Sequence, residues 1–371
     1  MALSHNPKIA TDGLTFCYDM GNPKSWQGKP VTNYVANAGT MSSFGNYSSG
    51  TPTSFITEFG TTGWRMNNLG AWNGVAQGGI SLPSTGQYTF SAWARYLGGH
   101  SNQTGGAVYT SGFGIGDTAT YIDKSKIGQW QRITNTQTVT GTSGTLYLIS
   151  WGGTYGSDNS SWEVTMPQIE PGSYASPWVD GSRSSTQAIL DLTGNNTLTA
   201  TSLTYNSDNT FSFNKSTNCI DINNTALISG TSPFTIEAAF YVNSASGGQA
   251  ILGNYGSGYT SNAVWFATHG FWLNGASPYF SGGQLAAGTY IIAVTRDSSG
   301  NILLYRNGVQ VGSGTNAASI ASNINWRIGA DVNGAAEPFG GTIFSVRTYS
   351  RALSATEILQ NFHAQRARYQ L

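Results

Sequence analysis

The stretch NILLYRNGVQVGSG, residues 301–314, holds the strongest local turn signal in the chain. Asn307-Gly308 stands between two strand-like runs, 301–306 and 309–312. A two-residue hairpin loop of type I′ needs φ > 0 at both central positions, which asparagine and glycine adopt at little cost. Outward from this hairpin, strand patterns recur at 13–20, 87–96, 129–140, 145–151 and 161–169. They continue at 212–213, 219–222, 234–242, 264–268, 290–296 and 342–349. In QYTFSAWARY (87–96), Tyr88, Phe90, Ala92 and Ala94 alternate with Thr89, Ser91, Trp93 and Arg95. One set therefore faces a core and the other a groove or solvent. Residues 37–52 are rich in Gly, Ser and Asn and show little periodicity. A single helix is expected, near the end. Ser354-Ala-Thr-Glu357 is a capping box, followed by an apolar stripe of Ile358, Leu359 and Phe362. That helix is expected to pack on a sandwich edge or an adjoining subunit.

Composition agrees with strands. Charged residues make up 9% of the chain against roughly 25% in an average soluble protein, while Gly numbers 48 and aromatics reach 12%. Such a chain forms short strands joined by many turns. Lys+Arg and Asp+Glu are 17 each, so no net field draws the chain to nucleic acid or to an anionic membrane. No stretch approaches the ~20 apolar residues of a membrane-inserted helix. Cys17 and Cys219 lie in apolar strand patterns, where cysteine acts as a small buried hydrophobe. The opening MALSHNPKIATDG lacks the basic and apolar regions of a secretory signal. The expectation is a virion protein made in the host cytoplasm; a secreted or cell-surface lectin-like protein is the alternative.

Several phrases carry a family resemblance. FTIEAAFYVNS (234–244), ILLYRNGVQVGSG (302–314) and FSVRTYSRALSATEILQNF (344–362) resemble the laminin-G/concanavalin-A-like domains of phage structural proteins. Two further pieces of that pattern, GLTFCYD (13–19) and DLTGN (191–195), stand about a domain apart. Between them, QYTFSAWARY, IGQWQRITNTQTV (127–139) and WEVTMPQIEPGSYASPWVDGS (162–182) resemble a carbohydrate-binding-module-like jelly roll. Residues 168–176 match its closing phrase.

The resemblance implies an all-β chain of two β-sandwiches with a short C-terminal helix. The laminin-G-like sandwich would be discontinuous, residues 7–30 plus 184–371, with residues 31–183 inserted as the jelly roll. The competing arrangement is a simple tandem in which 13–20 opens the jelly roll. The resemblance further implies a phage virion structural protein, a capsid decoration or fibre subunit. Its partners would be other virion proteins, further copies of itself and a host surface glycan. The polar arm 2–9 and the C-terminal helix are the elements expected to dock on a partner.

Enzymatic motifs are missing from the sequence. Glycosidases place two carboxylates about 5–9 Å apart, which on one strand means acids at i and i+2 or i+4. Glu58, Glu163, Glu170, Glu237, Glu337 and Glu357 have no such partners, and the four histidines make no metal spacing. A non-catalytic protein is expected. Sugar binding needs flat rings and neutral polar groups, and Trp64, Trp72, Trp93, Trp151 and Tyr155 are the candidate rings. Asn67, Asn68, Asn73 and Gln103 are their companions. Trp93 is the strongest, because Tyr88 and Phe90 lie on the other face of its strand. Trp130 and Trp178 are expected in the core. No cofactor is required. Asp331, Asn333 and Glu337 are candidate ligands for a structural calcium, and Asp191 with Asn195 form a second such pair. Asx residues are equally what tight turns use.

Overall fold

The computed structural model describes residues 8–47, 52–66, 74–99, 106–150, 161–244, 247–255, 263–274, 283, 285–331 and 337–371. The chain divides into two compact units, Met1–Lys29 with Ser185–Leu371, and Pro30–Ser184.

In the first unit one sheet runs, in spatial order, Thr204–Tyr205, Phe211–Asn214, Gly340–Tyr349, Phe234–Val242, Gly288–Arg296, Asn301–Arg306 and Val309–Thr315. The opening strand Leu14–Asp19 also pairs with Gly340–Tyr349, placing Cys17 opposite Arg347 and Asp19 opposite Ser345. The second sheet runs Leu198–Thr201, Cys219–Ile222, Trp326–Ile328, Ala250–Gly253, Val264–Ala267 and Gly270–Leu273.

Strand alternation builds the core between these sheets. Phe234, Ile236, Ala238, Phe240 and Val242 point inward and meet Phe16, Tyr18, Phe211 and Trp326. Phe16 and Tyr18 expose no surface, and each contributes about 2 kcal/mol by burial. Asp191 ties the opening strand to the DLTGN turn. Its carboxylate accepts hydrogen bonds from the amides of Cys17 (2.9 Å), Thr193 (3.0 Å) and Asn196 (3.1 Å). The Thr193 hydroxyl and Asn196 amide group donate to it as well, at 2.6 Å each. The hairpin loop has Asn307 at φ 52° and Gly308 at φ 80°. A Cβ on Gly308 would also press on Leu359 and Phe362 of the helix, at 3.0 and 3.2 Å.

The helix Ala355–Gln365 lies on the outer face of the first sheet, within the same chain. Its capping box forms as the sequence predicts, with the Ser354 hydroxyl accepting from the Glu357 amide. Beneath it lie Glu237 and Arg347, both buried, with Nη1 and Oε1 3.1 Å apart. Gln365 accepts from Arg347 at 2.6 Å and donates to Glu237 at 2.9 Å, while Asn361 donates to Glu237 at 3.1 Å. Ala10 joins this face, its amide donating to Asn361 Oδ1 at 2.7 Å, while residues 2–7 of the polar arm lie outside the described residues. Among the described residues the chain also forms two short helical turns that no sequence pattern marks, Ser185–Ala188 and the 3₁₀ turn Arg366–Tyr369.

The second unit is also a sandwich. One sheet runs Trp130–Val139, Gly86–Gly98, Ser161–Pro171, Thr62–Met66 and Thr53–Ile56; the other runs Gly45–Tyr47, Gly74–Ser81, Ser143–Ser150, Gly106–Gly112 and Ile115–Tyr121. The Gly-rich region 37–52 thus holds a strand that its lack of periodicity concealed. Phe90, Ala92, Ala94, Leu146, Leu148 and Val164 fill the core. The strands Val31–Thr32 and Ser182–Arg183 pair with one another, so the unit begins and ends at one place.

Two outcomes follow. Residues 30–184 produced alone should unfold cooperatively, while 185–371, deprived of Phe16 and Tyr18, should not; heating followed by circular dichroism checks both. The second concerns Glu357, whose carboxyl is pushed down to about 2, chiefly by hydrogen bonds from Arg351. Its contribution is complete above the ordinary carboxyl value and disappears as pH falls toward about 2. Glu357→Gln should therefore cost about 1 kcal/mol near neutral pH, with the difference from the native protein closing in acid.

Candidate functional site

The site begins with the alternation in QYTFSAWARY. Tyr88, Phe90, Ala92 and Ala94 are buried in the jelly-roll core, which turns Trp93 and Arg95 to the outer face of the sheet. Pairing then decides their neighbours. Arg95 lies opposite Trp130 on one side and Glu163 on the other, and Glu163 lies opposite Arg65. Directly opposed residues share a face. Charge and aromatic groups are thus brought together from four strands.

Part of that face is covered by the chain itself. A bulge at Met166, with φ 50°, redirects the strand Ser161–Pro171. The segment beyond then folds back: Ser176 donates to Glu170 at 2.7 Å, Val179 donates to Gln168 at 3.0 Å, and Arg132 donates to the Ser176 carbonyl. Thr89, Ser91, Gln168 and Glu170 are fully buried as a result. Trp93, Arg95 and Trp130 remain partly open to solvent.

Over the open part stands a turn. Thr57 and Thr61 bond through backbone (2.9 Å) and hydroxyls (2.9 Å), and Gly60 at φ 77° completes the reversal. The turn carries Glu58 and Phe59 over the sheet. The Phe59 ring, 46% exposed, lies 6.1 Å from Trp93 and 5.6 Å from Trp130. Glu58 Oε1 accepts from Trp130 Nε1 at 2.5 Å and from Arg95 Nη1 at 3.0 Å. The Glu58 carboxyl lies below its ordinary value because its own backbone amide favours the anion, as do Trp130 and Arg95.

Rigidity comes from Glu163, whose side chain is fully buried. One oxygen accepts two bonds from Arg65, at 2.7 and 2.5 Å, and the other accepts two from Arg95, at 2.7 and 2.5 Å. These paired forks fix the planes of both guanidiniums. Arg95 is held 4.5 Å from the Trp130 ring and Arg65 5.4 Å from the Phe55 ring. Arg65 and Arg95 balance Glu58 and Glu163 in a pre-set base, while Arg132, opposite Trp93, lies under the folded-back segment and donates to the Ser176 carbonyl and the Ser91 hydroxyl.

Not all the sequence candidates reach this face. Trp93 is at its centre. Trp64 instead packs against the core, with its indole nitrogen buried. Trp72, Trp151 and Tyr155 lie outside the described residues, as do Asn67, Asn68, Asn73 and Gln103. Trp178 packs on the core as expected, and its nitrogen donates to Pro167 at 3.2 Å. Trp130 does not: its position is out of phase with buried Ile133, a parity visible in the sequence, and it stands on the outer face. Phe59 and Glu58 carried no signal of their own, because a turn far along the chain presents them. Of the calcium candidates, Asp331 is buried, Glu337 is exposed and Asn333 lies outside the described residues. The Asp191 carboxylate is occupied by the amides and hydroxyl of its own turn and the opening strand.

No curated protein matches the chain. Among solved structures it is similar to domain 4 of AbnA, an extracellular arabinanase of Geobacillus stearothermophilus, at 18% identity over 48% of this chain and 92% of that one, with a TM-score of 0.37. It is also similar to the carbohydrate-binding module of the Ruminococcus gnavus IT-sialidase, at 20% identity over 35% of this chain and 82% of that one, with a TM-score of 0.30. Residues 213–359 match the family described as the concanavalin A-like lectin/glucanases superfamily, and that segment lies wholly within the sandwich made by Met1–Lys29 and Ser185–Leu371.

Proposed function

We propose that the chain is a non-catalytic glycan-binding protein, displayed on a virion as a capsid decoration or fibre subunit, whose jelly-roll face binds a neutral sugar ring. The observation that carries the reading is the half-exposed Trp93, Trp130 and Phe59 group on a base fixed by the Glu163 forks. A pyranose offers an apolar C–H face to such rings, and pre-set side chains lose little freedom on binding.

Charge supports a neutral ligand, since Arg65 and Arg95 are already held by Glu163 and Glu58, and Arg132 is bonded to Ser176 and Ser91 beneath the folded-back segment. It also supports binding over hydrolysis. A glycosidase acid must hold its proton, which requires a raised carboxyl value. Glu58 is instead lowered, and Glu163 is occupied by two guanidiniums. The virion placement rests on the sequence resemblance of both sandwiches to phage structural domains, and sedimentation with intact particles tests it.

The binding reading is tested by titrating neutral oligosaccharides, selected on a glycan array, into the native protein and variants. Trp93→Ala should lower affinity about tenfold, the loss of one aromatic stacking interaction, while Trp93→Phe retains most of it. Equal affinity for the native protein and Trp93→Ala would sink the reading. Glu163→Gln frees Arg95 from its fork and should weaken binding too. It should also cost about 2 kcal/mol of stability, because the variant loses charge-assisted bonds at a fully buried position.

A further inference from the structure

The sandwich of the first unit carries an aromatic face of its own. Val264–Ala267 and Gly270–Leu273 form a hairpin across Thr268 and His269. Val264, Phe266, Phe271 and Leu273 enter the core without accessible surface, so the directly opposed Trp265 and Trp272 stand on the outer side. Their ring centroids are 4.1 Å apart, and the His269 ring closes the group at 5.1 Å from Trp265 and 4.6 Å from Trp272. All three rings are half-buried.

Polar groups converge on the same spot because a glycine lets them. A Cβ on Gly248 would lie 2.6 Å from His269 Cε1, 2.7 Å from Trp265 Cη2 and 2.9 Å from the Glu337 carboxyl carbon. Glu337 itself sits at φ 55°, a strained backbone for a non-glycine residue, with its carbonyl held by the Ala250 amide at 2.8 Å. Trp265 Nε1 and His269 Nδ1 are buried and have no hydrogen-bond partner among the described residues. Buried polar atoms without partners are uncommon, and a ligand is one way such atoms are satisfied. Next to Trp265 along the sheet, Gly253 leaves a gap before Arg327, which is paired with Asp221 at 2.7 Å.

We infer that this face is a second saccharide site, taking a non-acidic pyranose whose ring lies on Trp265 and Trp272 and whose hydroxyl or amine hydrogens reach Glu337 and His269. The inference rests on the glycan-binding reading above and adds a second site of stated chemistry to it. An acidic sugar would bring its carboxylate against that of Glu337, while Arg327 is already paired with Asp221. Burial lowers His269, leaving the imidazole neutral and one of its nitrogens able to accept.

Calorimetric titration of the full chain tests this, with a panel of neutral pentasaccharides, a chitosan pentamer and oligogalacturonate as the acidic control. The expected result is that Trp93→Ala retains one class of site for a neutral or amino sugar. Adding Trp272→Ala should weaken that class about tenfold, with Trp272→Phe and Glu337→Gln intermediate and unfolding temperatures unchanged. If Trp93→Ala alone removes all saccharide binding, the second site is overturned and the first stands. The second site is equally overturned if Trp272→Ala changes nothing in the Trp93→Ala background. Preference of the Trp93→Ala protein for oligogalacturonate overturns the assigned chemistry. If no saccharide binds the native chain, both readings fall.

Discussion

A carboxylate and a guanidinium withdrawn from water, Glu237 and Arg347, lie between the concanavalin-like sheet and the C-terminal helix at 1% and 3% side-chain exposure. Either charge alone at that depth would cost several kcal/mol, so each is tolerated only while the other stays opposite it. Burial by itself would lower the Arg347 guanidinium, and the Glu237 charge carries it above its ordinary value instead. The pair fixes register, because Arg347 lies across from Glu237 on one side and from Cys17 on the other. A slip of one residue would turn a charge into the apolar core. Asp19 extends the demand to both ends of the chain, standing 3.7 Å from Arg347 and taking two bonds from Arg368 at 2.9 and 2.7 Å. The opening strand, the last long strand and the terminal helix are therefore bound to one another's positions.

That constraint explains how the first unit can be built from two distant segments. Ends brought together across a long interruption pay an entropy that grows only slowly with length. Each side of the interruption also closes on itself. Trp26 bridges to Ile189 in the first unit, and Val31–Thr32 pairs with Ser182–Arg183 in the second. A folded unit whose ends meet can be carried in another's connection at little cost.

How much of this was legible in the sequence depends on distance along the chain. Asn307-Gly308, the capping box at Ser354 and the in-and-out pattern around Trp93 are local, and each is present as read. Strands such as Gly74–Ser81 and Ile115–Tyr121 were not legible, since glycine and threonine leave no apolar alternation and pairing alone makes them strands. The sites were harder still. Trp93 could be placed on a face, but its neighbours Phe59 and Trp130 arrive from other strands and a turn, through a register that composition does not encode. The Trp265–Trp272 pair was hidden for a related reason: its hairpin turns through Thr268 and His269, with none of the Asn-Gly signal that exposed the other hairpin.

The scarcity of charge takes on meaning once the charges are located. With only 17 acids in the chain, Glu163, Glu237, Asp19 and Asp221 each hold an arginine between strands or under the helix. Charge in this protein fixes strand register and ring planes, where exposed pairs would contribute little. With charged residues at 9% of the chain, much of the surface is left to hydroxyls, amides and rings. A neutral polar ligand meeting such a surface displaces no strongly hydrated ions, and so keeps more of its contact energy as affinity. The composition that marks the chain as all-β is, for the same physical reason, a composition suited to sugars.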